Sequence, residues 1–147
     1  MRKASIIISI CTMIAVTLTM YGQGNNAAPA PGTELSPIMK QISTMNGALT
    51  TTMKDRNMSA AEIAKDADKL QDLFKQVSTY MKDHKIDDAT TLAADTANAA
   101  GDLSKAAKSN EFEPMKAAYT KLSKACGTCH AAHREQLPDK SYKLKSK

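Results

Sequence analysis

Four stretches of this chain repeat apolar residues at spacings of three and four, and none alternates with the period of two that a half-buried strand requires. In the first, Leu35, Ile38, Met39, Ile42, Met45, Leu49 and Met53 form one stripe, which predicts a helix over about 34–55 with the Lys54, Asp55, Arg56, Asn57 cluster as its exit. Ser59 and Glu62 form an S-x-x-E capping box that opens a second helix, whose stripe is Ile63, Ala67, Leu70, Leu73, Phe74, Val77 and Met81, ending near His84. Asp87 and Asp88 are expected to cap a third, in which Leu92, Ala99 and Leu103 sit among many alanines and Gly101 marks a bend or a tight contact. A fourth starts between Asn110 and Glu113, with Pro114 tolerated in its first turn, and carries Phe112, Met115, Tyr119, Leu122, Cys126, Cys129 and His133. With no Trp, four Tyr and two Phe, the composition also favours helix over sheet. The connections are short, so successive helices should pack antiparallel, and the expected fold is all-α, an up-down-up-down four-helix bundle.

Upstream of the stripes, Arg2 and Lys3 precede a mostly apolar run from Ile6 to Met20, followed by small and polar residues. That order reads as a secretory signal peptide over 1–24, and 25–33 as a Pro/Gly/Ala linker. The chain would touch a membrane only if this segment stayed uncleaved. Cys11 lies inside the run behind the bulky Ile10, which makes it a leader residue and not a lipid-modified one. Cleavage removes Arg2 and Lys3 and no acidic residue, taking the formal net charge from +5 to +3. The remaining basicity, with no aromatic-basic interleaving, does not indicate nucleic-acid binding. After Leu137, Pro138 is expected to end the last helix, leaving 138–147 as a basic tail with Lys140, Lys143, Lys145 and Lys147. Such a tail is read first as a solvated terminus and second as a steering patch for an acidic partner.

Near the end of the fourth helix, residues 124–134 read KACGTCHAAHR. Cys126, Cys129 and His130 stand at i, i+3 and i+4, so on a helix all three leave from one face. The spacing C-x-x-C-H suits covalent haem, two thiols bonding one porphyrin edge while the imidazole reaches the iron. A structural zinc site needs four ligands, and His84 and His133 are the only other histidines. A redox dithiol of the thioredoxin kind expects a βαβ setting that the periodicity does not provide. Export is consistent with haem attachment, and a buried haem would fill a core short of aromatic side chains.

With this motif at the end of the last of four helices, residues 34–137 resemble the class II c-type cytochromes, the cytochrome c′ group and its low-spin relatives. The resemblance implies one covalent haem c inside the bundle, tethered by Cys126 and Cys129, with His130 as proximal iron ligand. Low-spin members take the opposite ligand from a Met-Lys step early in the first helix, which matches Met39-Lys40; Met45 is the second choice. Arg134 matches a basic position after the motif, where it would lie beside the proximal ligand or a propionate, unless it is an exposed Arg favoured by the helix dipole. Two positions depart from the family pattern. Glu34, Leu35 and Ser36 stand where a polar Arg-Gln pair is usual, leaving the propionate partner unassigned, and His133 replaces a commonly aromatic residue and is expected at the solvent edge. Tyr119 and Phe74 are expected to pack the core or the haem wall.

What this implies is a periplasmic, outer-sphere electron carrier with His/Met ligation, working with redox protein partners, and not an enzyme, since no nucleophile or acid-base pair is in evidence. The alternative is a five-coordinate cytochrome c′ that binds NO or CO at an open sixth position. A third reading is a haem-free helical module with a Cys126–Cys129 disulfide. Homodimers are frequent in the resembled family.

Overall fold

The computed structural model describes residues 34–54 and 59–145, so the expected leader, the linker, the exit cluster at 55–57 and Lys147 lie outside the described residues. Four helices follow one another: α1 (Leu35–Lys54), α2 (Ala60–Asp83), α3 (Asp87–Lys108) and α4 (Phe112–His133), then two short strands, β1 (Arg134–Gln136) and β2 (Tyr142–Leu144). Each helix buries the stripe its sequence carries. Ile38, Ile42 and Leu49 of α1 turn inward, as do Ile63, Leu70, Leu73, Phe74, Val77 and Met81 of α2. The inner face of α3 is made almost wholly of Ala89, Ala93, Ala97, Ala99, Ala100, Leu103 and Ala107, and small side chains there let neighbours approach closely. None of the described helices is long and apolar enough to cross a membrane.

Contacts between the helices give their directions. Near the α2–α3 turn, the Ser78 hydroxyl donates to the Thr90 carbonyl at 3.1 Å, and at the far end Lys108 reaches Asp68 at 2.9 Å. Residue numbers fall along α2 as they rise along α3, so the two run antiparallel. Likewise α3 and α4 leave their turn at 109–111 and meet again where Asp88 faces His133 at 3.3 Å. Between α1 and α4, Thr50 and Tyr119 share a hydroxyl hydrogen bond of 2.5 Å. The helix contacts thus fit a four-helix bundle in which α2, α3 and α4 alternate in direction, with α2 and α3 as the tightest pair. At Gly101 a methyl group would collide with the Gln71 side-chain amide, so this glycine marks a close approach of α3 to α2, within a helix that continues through it.

Several local expectations are corrected. The cap of α2 is as read, with Ser59 Oγ accepting from the Glu62 amide at 3.3 Å. In α3 the aspartates do not cap; Ile86 holds that position without a side-chain bond, and Asp87 and Asp88 occupy the first turn, where their charge faces the positive end of the helix dipole. Phe112, expected on the inner stripe, is 51% exposed because it is the first residue of α4 and lies beyond the end of the packed face. His133, expected at the solvent edge, is only 9% exposed.

The largest difference concerns the tail. Helix α4 stops at His133, and Arg134 takes extended backbone angles. A helix could not pass Pro138 in any case, since its ring would strike the carbonyl four residues back. The chain stops earlier because it folds back on itself: Arg134 pairs with Leu144, Glu135 with Lys143 and Gln136 with Tyr142 in an antiparallel hairpin. Its turn is Leu137-Pro138-Asp139-Lys140, closed by the Lys140 amide on the Leu137 carbonyl at 2.9 Å. Lys140 is left-handed at φ 66°, and the Asp139 carboxylate accepts from the Ser141 amide and hydroxyl. A Pro-Asp turn followed by one left-handed residue is a common hairpin closure. Residues 138–145 are thus built into the fold and are not a loose basic terminus.

Candidate functional site

A cavity of about 880 Å³ opens between α1 and α4, floored by α2 and α3 and bordered by the hairpin. That volume lies within the ~300–1,000 Å³ of small-molecule and cofactor sites. Its interior is apolar, with Ile42 from α1, Phe74, Val77 and Met81 from α2, and Ala93 from α3. It exists because α1 rests chiefly on α2 while α4 rests on α3. From α3 only Ala93 and Thr96 reach its wall.

All five residues singled out from the sequence line this one cavity: Met39 on α1, Cys126, Cys129 and His130 on α4, and Arg134 at the start of β1. The three residues of the motif share a face of α4 because they stand one turn apart. Cys126 and Cys129 are free thiols and half-buried. Burial pushes the Cys126 thiol above its ordinary range, and the neighbouring Cys129 adds to this. Burial raises Cys129 as well, aided by the negative charge of Asp88. His130 is lowered, first by burial and then by the positive charge of Arg134. At neutral pH the site therefore presents two protonated thiols and an uncharged imidazole. An uncharged imidazole keeps a lone pair for a metal.

Met39 is half-buried, packed against the core and on the cavity wall. Met45 and Met53 also pack against the core but do not line the cavity, whereas Met81, 1% exposed, does. Tyr119 stays with Thr50 away from the cavity, and Phe74 is part of its wall. Asn46 lines it too, with a buried Oδ1 that lacks a hydrogen-bond partner. His133 also lines the cavity, its Nε2 3.3 Å from Asp88 Oδ2 without hydrogen-bond alignment. Among the described residues, no group of three or more His, Cys, Asp and Glu is placed to hold a bare metal ion.

Sequence reasoning missed the border supplied by Ser141, Tyr142, Lys143 and Leu144. The signal was present in the Pro-Asp turn, with Tyr142 and Leu144 one residue apart beyond it, but Pro138 was read only as a helix stop. Compared with the profiles of known protein families, with curated proteins and with solved structures, the chain matches none.

Proposed function

We propose that this chain is an exported c-type cytochrome that carries one covalent haem c and transfers electrons between protein partners in the periplasm. The observation that carries this reading is the C-x-x-C-H face of α4 lining an apolar cavity whose wall on α1 holds a methionine. Protein interiors are packed to a density near ~0.75, with few voids larger than a water. An apolar hollow of about 880 Å³ therefore suits a large planar group better than solvent. The donor set also fits, since a bare ion would need ligands that the described residues do not assemble, whereas a porphyrin brings four of its own. When bound, the haem supplies an iron that cycles between ferric and ferrous states.

The residues divide the remaining work. Cys126 and Cys129, held as thiols, would tether the haem as thioethers, each S–H adding across one vinyl group without net oxidation. His130 offers its uncharged ring as proximal ligand. Met39 offers a thioether, which carries no proton to lose and favours the reduced metal. Ile42, Phe74, Val77, Met81 and Ala93 keep water from the interior. Were His130 and Met39 both to hold the iron, electron transfer would require no ligand exchange. Export rests on the leader-like N-terminus, and the membership in the cytochrome c′ group rests on the motif and helix order.

The test is the absorption spectrum of the full chain made with haem-maturation machinery, beside Met39→Ala. We expect a pyridine haemochrome of the thioether-linked type and a low-spin ferrous form indifferent to carbon monoxide, turning high-spin in Met39→Ala. Absence of covalent haem would overturn the reading. A wild-type form that takes up carbon monoxide would replace electron transfer with gas binding, and an unchanged spectrum in Met39→Ala would move the ligand to Met81 or Met45.

A further inference from the structure

Resting on the haem reading above, we propose that the C-terminal hairpin is part of the binding site and that Arg134, positioned by Tyr142, recognises the carboxylates of the cavity's occupant. The cavity is two-sided in its chemistry. Its depth is apolar, while Lys40, Arg134 and Lys143 stand along its border against a single acidic residue there, Glu34. An occupant with an apolar body and an anionic edge matches that division.

Arg134 is the border cation whose geometry is most defined. Its guanidinium carbon lies 4.0 Å over the centre of the Tyr142 ring. A cation–π contact of this kind consumes none of the five guanidinium N–H donors, which keep their capacity to bind an acceptor. Those groups match a carboxylate two bonds at a time, a fit that a lysine ammonium lacks. The Tyr142 ring is itself held, since Gln136, its cross-strand partner, donates to its hydroxyl at 3.2 Å. Carboxylates within the hairpin are engaged elsewhere, Glu135 with Lys143 at 3.5 Å and Asp139 with Ser141 at 2.6 Å. Leu144, opposite Arg134 in the ladder, packs against the core and supplies the apolar rim.

The experiment uses the full chain with Cys126→Ala and Cys129→Ala, so that porphyrin binds reversibly, titrated with hemin and with hemin dimethyl ester. The diacid should bind roughly tenfold more tightly than the diester, the scale of one charge-assisted pair. Adding Arg134→Gln should abolish that ratio while leaving diester affinity unchanged. Arg134→Lys should restore part of it, and Tyr142→Leu should reduce it. Equal affinities for diacid and diester, survival of the ratio in Arg134→Gln, or equal weakening of both ligands by that change would overturn the assignment. If haem is covalently attached to the wild-type chain yet the ratio is absent, this inference fails and the haem reading stands. If neither porphyrin binds and no covalent haem forms, both fail.

Discussion

Single side chains in this protein matter according to what else could take their place, and Leu122 shows the limiting case. It is fully buried on α4, one turn before Cys126, in a core where α3 contributes mostly methyl groups. Leu122→Ala should cost about 2–5 kcal/mol, because rigid helices collapse only partly onto a void. Urea unfolding monitored by far-UV circular dichroism would measure it; a cost below ~1 kcal/mol would mean that α4 is packed far more loosely than its buried stripe indicates. Cys126, Cys129 and His130 share one face through their spacing on a single helix, which the sequence shows directly, whereas Met39, expected from the family resemblance, reaches the same cavity only through the packing of α1. His133, expected at the solvent edge, is instead buried at the end of α4, where it lines the cavity and faces Asp88 of α3, a neighbour that the sequence of α4 does not reveal.

At the scale of elements, the α2–α3 pair is tied at its far end by Asp68. The Ser104 hydroxyl and then the Lys108 ammonium hold the Asp68 carboxyl below its ordinary value of 3.8. Ser104 Oγ stands outside hydrogen-bond limits, so the 2.9 Å contact with Lys108 is the firmer of the two. A carboxyl depressed in the folded state stabilises it above the unfolded-state value, and that contribution is lost as pH falls through the lower folded value. The stability difference between wild type and Asp68→Asn should therefore be present at pH 7 and shrink below about pH 4. Because Asp68 is half exposed, the difference should be small and diminish in high salt. Denaturant midpoints for both proteins across pH would show it, and a difference that grows on acidification would reverse the assignment. The four helices were readable from periodicity, but the role of the α3 aspartates was not: capping depends on the backbone angles of a single residue, Ile86, which composition does not reveal.

For the whole molecule, the hairpin closes the end of the bundle that carries the motif. The Lys145 amide donates to the His133 carbonyl at 2.9 Å, and its ammonium donates to the Ala131 carbonyl at 2.8 Å. Both carbonyls belong to the last turn of α4, which would otherwise lack partners. A chain ending at Gln136 should keep its four helices, since β2 meets the core only at the rim, through the partly buried Leu144, while the buried stripes lie on the helices themselves. It should show faster amide hydrogen exchange in the last turn of α4, around His130, with α2 and α3 unaffected. Unchanged exchange there would mean that the hairpin does not brace the motif; loss of all helical signal would mean that the bundle depends on it.

What the sequence by itself determined is what repeats along one segment or is contained within a single turn: four amphipathic helices, their antiparallel order through short connections, and a C-x-x-C-H face. Local steric and hydrophobic rules suffice for these, because the residues involved are already neighbours on the chain. Only the tertiary structure decided that α1 stands away from α4 to leave a cavity, that Met39 lines it and Met45 does not, and that the last residues return to border it. Those outcomes depend on how the volumes of many side chains sum across four helices. The hollow, lined by residues of all four helices and of the hairpin, exists only when these elements are placed together.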